Sequence, residues 1–255
     1  MAVFDCDNAY GDGGLPDYIH DQNWDHAIQI IDVLIETGAS IDIYGDDPTQ
    51  RTALHSALAA RGPPLKLISS LLHHGADLNL RDCCGRSAFF ELLGQPKATR
   101  ELVKVFTDAG AIVGPPAARG QTPLHCVRNP SIASWLIALG EDIAAVDDQG
   151  EIPLHNAGST GNLELVSLYL DVSTLIDNRN DLGRTPFMQS RSACISRTLL
   201  DHGADIHATT DQDIIAIHHA AEFCNLELVS FLLANGADVH ACVPYSRATL
   251  NYPSD

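Results

Sequence analysis

A Gly-Ala-Asp-like phrase and a Thr-Pro-Leu-His-like phrase alternate along this chain, twelve residues apart. The pairs are Gly75 and Ser87, Gly110 and Thr122, Gly140 and Ile152, Ser173 and Thr185, Gly203 and Ile215, and Gly236 and Ala248. A fixed internal period of thirty-odd residues means that one supersecondary unit is stacked many times, each burying its apolar face against the next. Activity is therefore expected on the surface that the stack displays.

A second periodic signal begins eight residues ahead of each closing position, in the apolar pairs Ile30-Ile31, Leu67-Ile68, Leu102-Val103, Ile132-Ala133, Leu165-Val166, Ile195-Ser196 and Leu228-Val229. Further apolar residues follow three to five positions on, which is helical spacing. Each unit then has a short first helix opened by the Thr-Pro phrase, a second helix closed by Gly, and an extended connection. Thr suits the N-cap, Pro the first helical position, and Gly the left-handed turn beyond the second helix. His recurs in the fourth place of the phrase as His20, His55, His125, His155 and His218, where its ring can bridge polar groups of the turn and of the next unit. The pattern at Asp82 to Gly85, Asp147 to Gly150 and Asn180 to Gly183 reads as a tight hairpin tip.

These phrases make the chain resemble an ankyrin-repeat protein, best at Gly75 to Phe90, Gln121 to Cys126, Glu151 to Ala157, Gly183 to Phe187 and His218 to Ala221. The resemblance implies an all-α solenoid of helix–turn–helix units joined by β-hairpin-like loops. Residues 1–16 are expected to be an acidic, Gly- and Asp-rich disordered leader. Residues 17–247 are expected to form an array of about seven units, and residues 248–255 to begin an eighth and stop, as in a piece of a longer array. Turn phrases start near Asp17, Thr52, Ser87, Thr122, Ile152, Thr185, Ile215 and Ala248, and the uneven spacing is assigned to loops between helices. Ser173 replaces a closing glycine, and because Ser tolerates the left-handed conformation poorly, the helix end near Val172 is expected to be soft.

The net charge is -18, and residues 1–50 hold eleven acids with no Lys or Arg. Such a field repels phosphate backbones and attracts basic partners, so nucleic-acid binding is not expected. No apolar run is long enough for a membrane span, and the amino terminus lacks a signal-peptide pattern. Seven cysteines without a framework spacing imply reduced thiols in cytosol or nucleus. The repeat accounts for most of the twelve His residues, and Cys83-Cys84 has no second ligand pair at a zinc spacing, so neither metal nor cofactor is expected. No nucleophile elbow, phosphate loop or dinucleotide fingerprint is present, and the carboxylates fall at tips and helix surfaces, so catalysis is not expected.

The resemblance implies a monomeric protein-binding scaffold with a concave face built from hairpin tips and the exposed sides of first helices. At the tips its candidate residues are Arg81, Cys83, Cys84, Arg119, Val146, Asp148, Gln149, Arg179, Asp181, Leu182, Thr209, Asp211 and Gln212. On the first helices they are Ser56, Glu91, Cys126, Asn156, Gln189, His219, Glu222 and Phe223. Two alternatives stay open: a targeting or inhibitory module of a larger enzyme or signalling protein, and a spacer without a partner. Asn79 occupies the place where proteins of this family resemble substrates of asparaginyl hydroxylases.

Overall fold

The computed structural model describes residues 24–46, 48–59, 65–95, 98–113 and 117–238. The expectations for residues 1–16, for the unit start near Asp17 and for residues 248–255 lie outside this range, as do His20 and His240. The chain divides into two compact units, Met1–Glu141 and Asp142–Asp255.

In the first unit, α1 (Trp24–Glu36) is followed by the helix pairs α2 (Ala53–Ala59) and α3 (Leu65–His73), α4 (Ala88–Gly94) and α5 (Arg100–Asp108), and α6 (Pro123–Cys126) and α7 (Pro130–Ala138). The second unit contains α8 (Pro153–Thr160) and α9 (Leu163–Val172), α10 (Pro186–Gln189) and α11 (Ala193–Asp201), and α12 (Ala216–Glu222) and α13 (Leu226–Ala234). Among the described residues the only β pairing is a single bridge between Arg81 and Ser87. The fold is all-α, as the periodicity predicts.

Each phrase opens its helix as its chemistry dictates. Pro123, Pro153 and Pro186 take the first helical position, where a missing N–H breaks no bond. Second helices start on polar caps: the side chains of Asn162, Ser192 and Asn225 accept from Leu165, Cys194 and Leu228 N–H. Asn225 also donates through Nδ2 to Arg191 O at 2.8 Å, tying its loop to that of the unit before.

First helices pack in one row and second helices in another within each unit: α2 on α4 and α4 on α6, with α5 on α7; then α8 on α10 and α10 on α12, with α9 on α11. Apolar side chains fill the seam. Leu54, Leu58, Phe89, Leu92, Phe106 and Ile132 are fully buried in the first unit, and Tyr169, Val166, Phe187 and Leu199 in the second. Burying one such side chain is worth about 1.5–3 kcal/mol, so the repeating seam supplies the main drive to stack.

Helix closure departs from expectation at one place. Gly203 ends α11 with φ +98°, and the N–H groups of Gly203 and Ala204 bond Leu200 O and Leu199 O. Ser173, in the corresponding place after α9, is extended at φ -139° and ψ 143°, and its Oγ accepts from Leu175 N–H at 3.2 Å. The premise of a strained left-handed serine is thereby corrected: the hydroxyl offers the backbone a local alternative and the helix simply ends.

Candidate protein-binding surface

In four connections the hairpin base is built on one polar side chain, and in the connection before Thr122 the buried Ala117 takes that place. Asp82 Oδ1 accepts from Cys84 and Arg86 N–H at 2.9 Å each, and Asp147 Oδ1 from Gln149 and Glu151 N–H at 2.9 and 3.0 Å. Asn180 Oδ1 does the same for Leu182 and Arg184, and Thr210 Oγ1 for Gln212 and Ile214. All four side chains are buried. A backbone cross-bond closes each loop, as from Asp147 N–H to Glu151 O and from Asn180 N–H to Arg184 O. The backbone of these four tips is thus held from beneath, and at the first of them the exposed Arg81 also donates through Nη1 to Gly85 O at 2.8 Å.

Neighbouring tips touch edge to edge. Cys83 N–H bonds Thr49 O at 3.0 Å in the first unit, and Asp181 N–H bonds Gln149 O at 2.9 Å in the second. Gly183 is required where this approach is closest: its φ is +72°, and a Cβ there would stand 2.8 Å from the Asp211 nitrogen.

The phrase histidines lie behind the tips. His155 Nδ1 accepts from Ile152 N–H and its Nε2 donates to Arg184 O of the next connection, both at 3.1 Å. His55 repeats this from Thr52 to Arg86 O. These partners define a neutral ring protonated on Nε2, and burial holds the pKa of His55 and of His155 below the ordinary histidine range. His125 and His218 likewise accept at Nδ1 from Thr122 and Ile215 N–H, both at 3.1 Å, while in the Ser87 and Thr185 phrases Phe90 and Met188 take the histidine place, both buried.

The predicted contact residues separate by their surroundings. At the tips Arg81, Cys83, Val146, Asp148, Gln149, Arg179, Asp181, Leu182, Thr209, Asp211 and Gln212 are exposed, and Cys84 and Arg119 are partly so. Val146 and Leu182 each keep 57 % of their surface in solvent. Arg179 reaches across to Asp211 at 2.6 Å, an exposed pair worth little to stability.

First-helix positions behave otherwise. Glu91 is 5 % exposed and pairs with Arg51 at 3.3 Å; Gln189 donates to Glu151 Oε1, which also accepts from Asn180 Nδ2 at 2.9 Å. His219 is 8 % exposed and lies 3.6 Å from Glu222, and its Nε2 has no hydrogen-bond partner among the described residues. Burial, and then the charge of Arg184, hold its pKa low. A rung recurs here: the residue just before one turn phrase (Arg51, Glu151, Arg184) faces the fourth residue of the next first helix (Glu91, Gln189, His219). Glu91 and His219 thus face the neighbouring repeat, which corrects their placement on the exposed side. A polar residue ahead of five phrases (Arg51, Arg86, Gln121, Glu151 and Arg184) was the available signal, but pairing it needed the packing.

Cys126 and Asn156 are half-buried, and Cys126 Sγ donates to Gln121 Oε1 at 3.8 Å. Ser56, Glu222 and Phe223 face solvent. Phe223 is 58 % exposed with the Arg191 guanidinium 4.9 Å above its ring. It caps the far end of α12, about 10 Å along the helix from the tip end, so the structure does not gather it with Gln149 and Leu182.

Among the described residues no cluster of three or more His, Cys, Asp or Glu is arranged to hold a metal ion, and no helix is long and apolar enough to cross a membrane.

Two rows of short helices linked by self-satisfied hairpins define a helical repeat protein of the binding type. The chain belongs to the ankyrin-repeat family: three of its family descriptions match, as a single repeat over residues 49–83, three copies over 126–210 and many copies over 195–233. Ankyrin repeats are non-catalytic modules of protein–protein interaction. Among curated proteins, the chain is 33 % identical over 61 % of its length to 24 % of a putative palmitoyltransferase ZDHHC13 from Danio rerio. It is 28 % identical over 64 % of its length to 18 % of the phosphocholine transferase AnkX of Legionella pneumophila. It is 30 % identical over 47 % of its length to 30 % of the human ankyrin repeat and SOCS box protein 6. The chain thus spans less than a third of these relatives.

Proposed function

We propose that this chain is a monomeric, non-catalytic scaffold that binds a partner protein or an extended peptide on its hairpin tips. In the Asp142–Asp255 unit the contact residues are Val146, Asp148, Gln149, Arg179, Asp181, Leu182, Thr209, Asp211 and Gln212. In the Met1–Glu141 unit they are Arg81, Cys83, Cys84 and Arg119. The observation that supports this reading is the division of labour within each hairpin. Asp147, Asn180 and Thr210 satisfy the tip backbone from beneath, so Val146 and Leu182 are left in solvent without a structural task. Exposed apolar anchors among polar neighbours are what a binding surface supplies.

Charge points to the partner's character. Residues 142–238 hold fifteen acids against four arginines and no lysine. A basic segment with apolar anchors complements such a surface, and like charge turns away nucleic acid. Cysteines without a framework spacing favour a reducing compartment, cytosol or nucleus.

Affinity capture with the intact chain tests the reading. Gln149→Ala with Leu182→Ala is expected to lower partner recovery at least tenfold with the melting temperature unchanged, whereas undiminished recovery overturns it. A second reading, a targeting or inhibitory module of a longer enzyme, is favoured by the small share of the relatives that this chain covers. A transcript with a longer reading frame that encodes a catalytic domain decides for it.

A further inference from the structure

The tip between Arg81 and Ser87 differs from the others in its chemistry. Cys83 is exposed and Cys84 partly so, and their sulfurs lie 3.6 Å apart. The backbone beneath is pinned from three directions. Cys83 N–H bonds Thr49 O at 3.0 Å, Cys84 N–H bonds Asp82 Oδ1 at 2.9 Å, and Asp82 N–H bonds Arg86 O at 2.9 Å. The arrangement of the two thiols is thus set by a hairpin that does not depend on them.

Two reactions are open to a pair of adjacent thiols: a direct S–S bond, or a bridge through one soft atom. Magnitudes decide between them. Consecutive Cα atoms across a trans peptide stand about 3.8 Å apart, below the roughly 4.4–6.8 Å that disulfides span. Drawing the sulfurs from 3.6 Å to a bond of about 2.05 Å also requires twisting the pinned peptide. A soft centre bound to both sulfurs at about 2.3 Å, with an angle between roughly 90° and 110°, holds them roughly 3.3–3.8 Å apart. The observed 3.6 Å falls inside that range with no movement of the backbone.

The donor count narrows the ligand. The pair itself supplies two thiolates, whereas a four-coordinate ion needs four donors. A trivalent organoarsenic centre brings one carbon ligand and needs two thiolates to complete its shell. We propose that Cys83 and Cys84 form a vicinal-dithiol site that captures trivalent organoarsenic compounds as a cyclic dithioarsenite. In the reaction with phenylarsine oxide, two As–S bonds form and the As=O bond is lost. The oxygen leaves as water with the two thiol protons, and arsenic stays trivalent, so no oxidant or reductant is consumed. The site shares Cys83 and Cys84 with the proposed partner surface, but the chelate requires no partner and does not depend on that reading.

Intact-mass measurement on the full chain after phenylarsine oxide, followed by excess glutathione, tests this. The pair is expected to retain one phenylarsenic group against the monothiol and to release it to 1,2-ethanedithiol. Cys83→Ser and Cys84→Ser should each lower the retained adduct at least tenfold, because a single thiolate lets glutathione compete. Matching melting temperatures confirm that both variants fold. An adduct retained equally in either variant, or none retained in the parent chain, overturns the proposal.

Discussion

The base and the tip of each hairpin lie a few residues apart and obey different rules. At the base, Asp147, Asn180 and Thr210 are buried and accept two backbone N–H bonds each. At the tip, Val146 and Leu182 face water and satisfy nothing in the fold. The base tolerates little because a buried N–H without a partner costs about 1–3 kcal/mol. The side chains of Val146 and Leu182 carry no such constraint from the fold, unlike Gly183 beside them. The fold is therefore specified at one end of the loop, and the proposed recognition surface lies at the other.

The comparison breaks most visibly in the seam beneath the base. Phe187→Ala should cost about 3–5 kcal/mol, read as a shift in urea midpoint, because Phe187 is fully buried where α10 packs. A loss below about 1 kcal/mol would show that the seam is not the source of stacking energy. Next comes Asn180→Ala, which removes the acceptor for Leu182 and Arg184 N–H and the donor to Glu151. About 2 kcal/mol is expected, with faster amide exchange confined to the loop around Leu182.

A smaller effect depends on pH. His155 is held neutral by burial, and protonating its Nδ1 removes the acceptor for Ile152 N–H. Its folded pKa lies below the unfolded value, so the unfolded chain binds the proton more readily. Stability is then complete above about pH 6.5 and declines as pH falls below it. Melting temperatures recorded from pH 8 to pH 5 should fall less steeply for His155→Met, a residue the chain itself uses at Met188. Identical slopes would remove His155 from the account.

Smaller still is Ser173→Gly. Since Ser173 is extended, glycine gains nothing from left-handed freedom and should cost up to about 1 kcal/mol through unfolded-chain entropy. Stabilisation by a similar amount would restore the left-handed picture. Leu182→Ala and Val146→Ala, at the tip, should change stability by less than about 0.5 kcal/mol.

These contrasts also show what could be read from residues alone. The order of first and second helices, the prolines that open α6, α8 and α10 and the closing glycines were legible, because each follows from local chemistry within a few residues. The conformation of Ser173 was not, because an extended ending with the hydroxyl bonded to Leu175 competes with the left-handed turn over a small energy difference. The burial of Glu91 and His219 was also hidden. Arg51 and Glu91 stand 40 residues apart, and only the packing of α2 on α4 makes them neighbours. Phe223 was legible as exposed, while its distance from the tips depended on the length of α12.

The central claim is that base residues hold the fold and tip residues hold the partner. One paired measurement tests it: partner capture and thermal melting of the intact chain carrying Gln149→Ala with Leu182→Ala, beside Asn180→Ala. The account predicts a tip variant that melts like the parent and captures at least tenfold less partner, and a base variant that melts several degrees lower. A tip variant that captures its partner undiminished, with its melting temperature also unchanged, would contradict it.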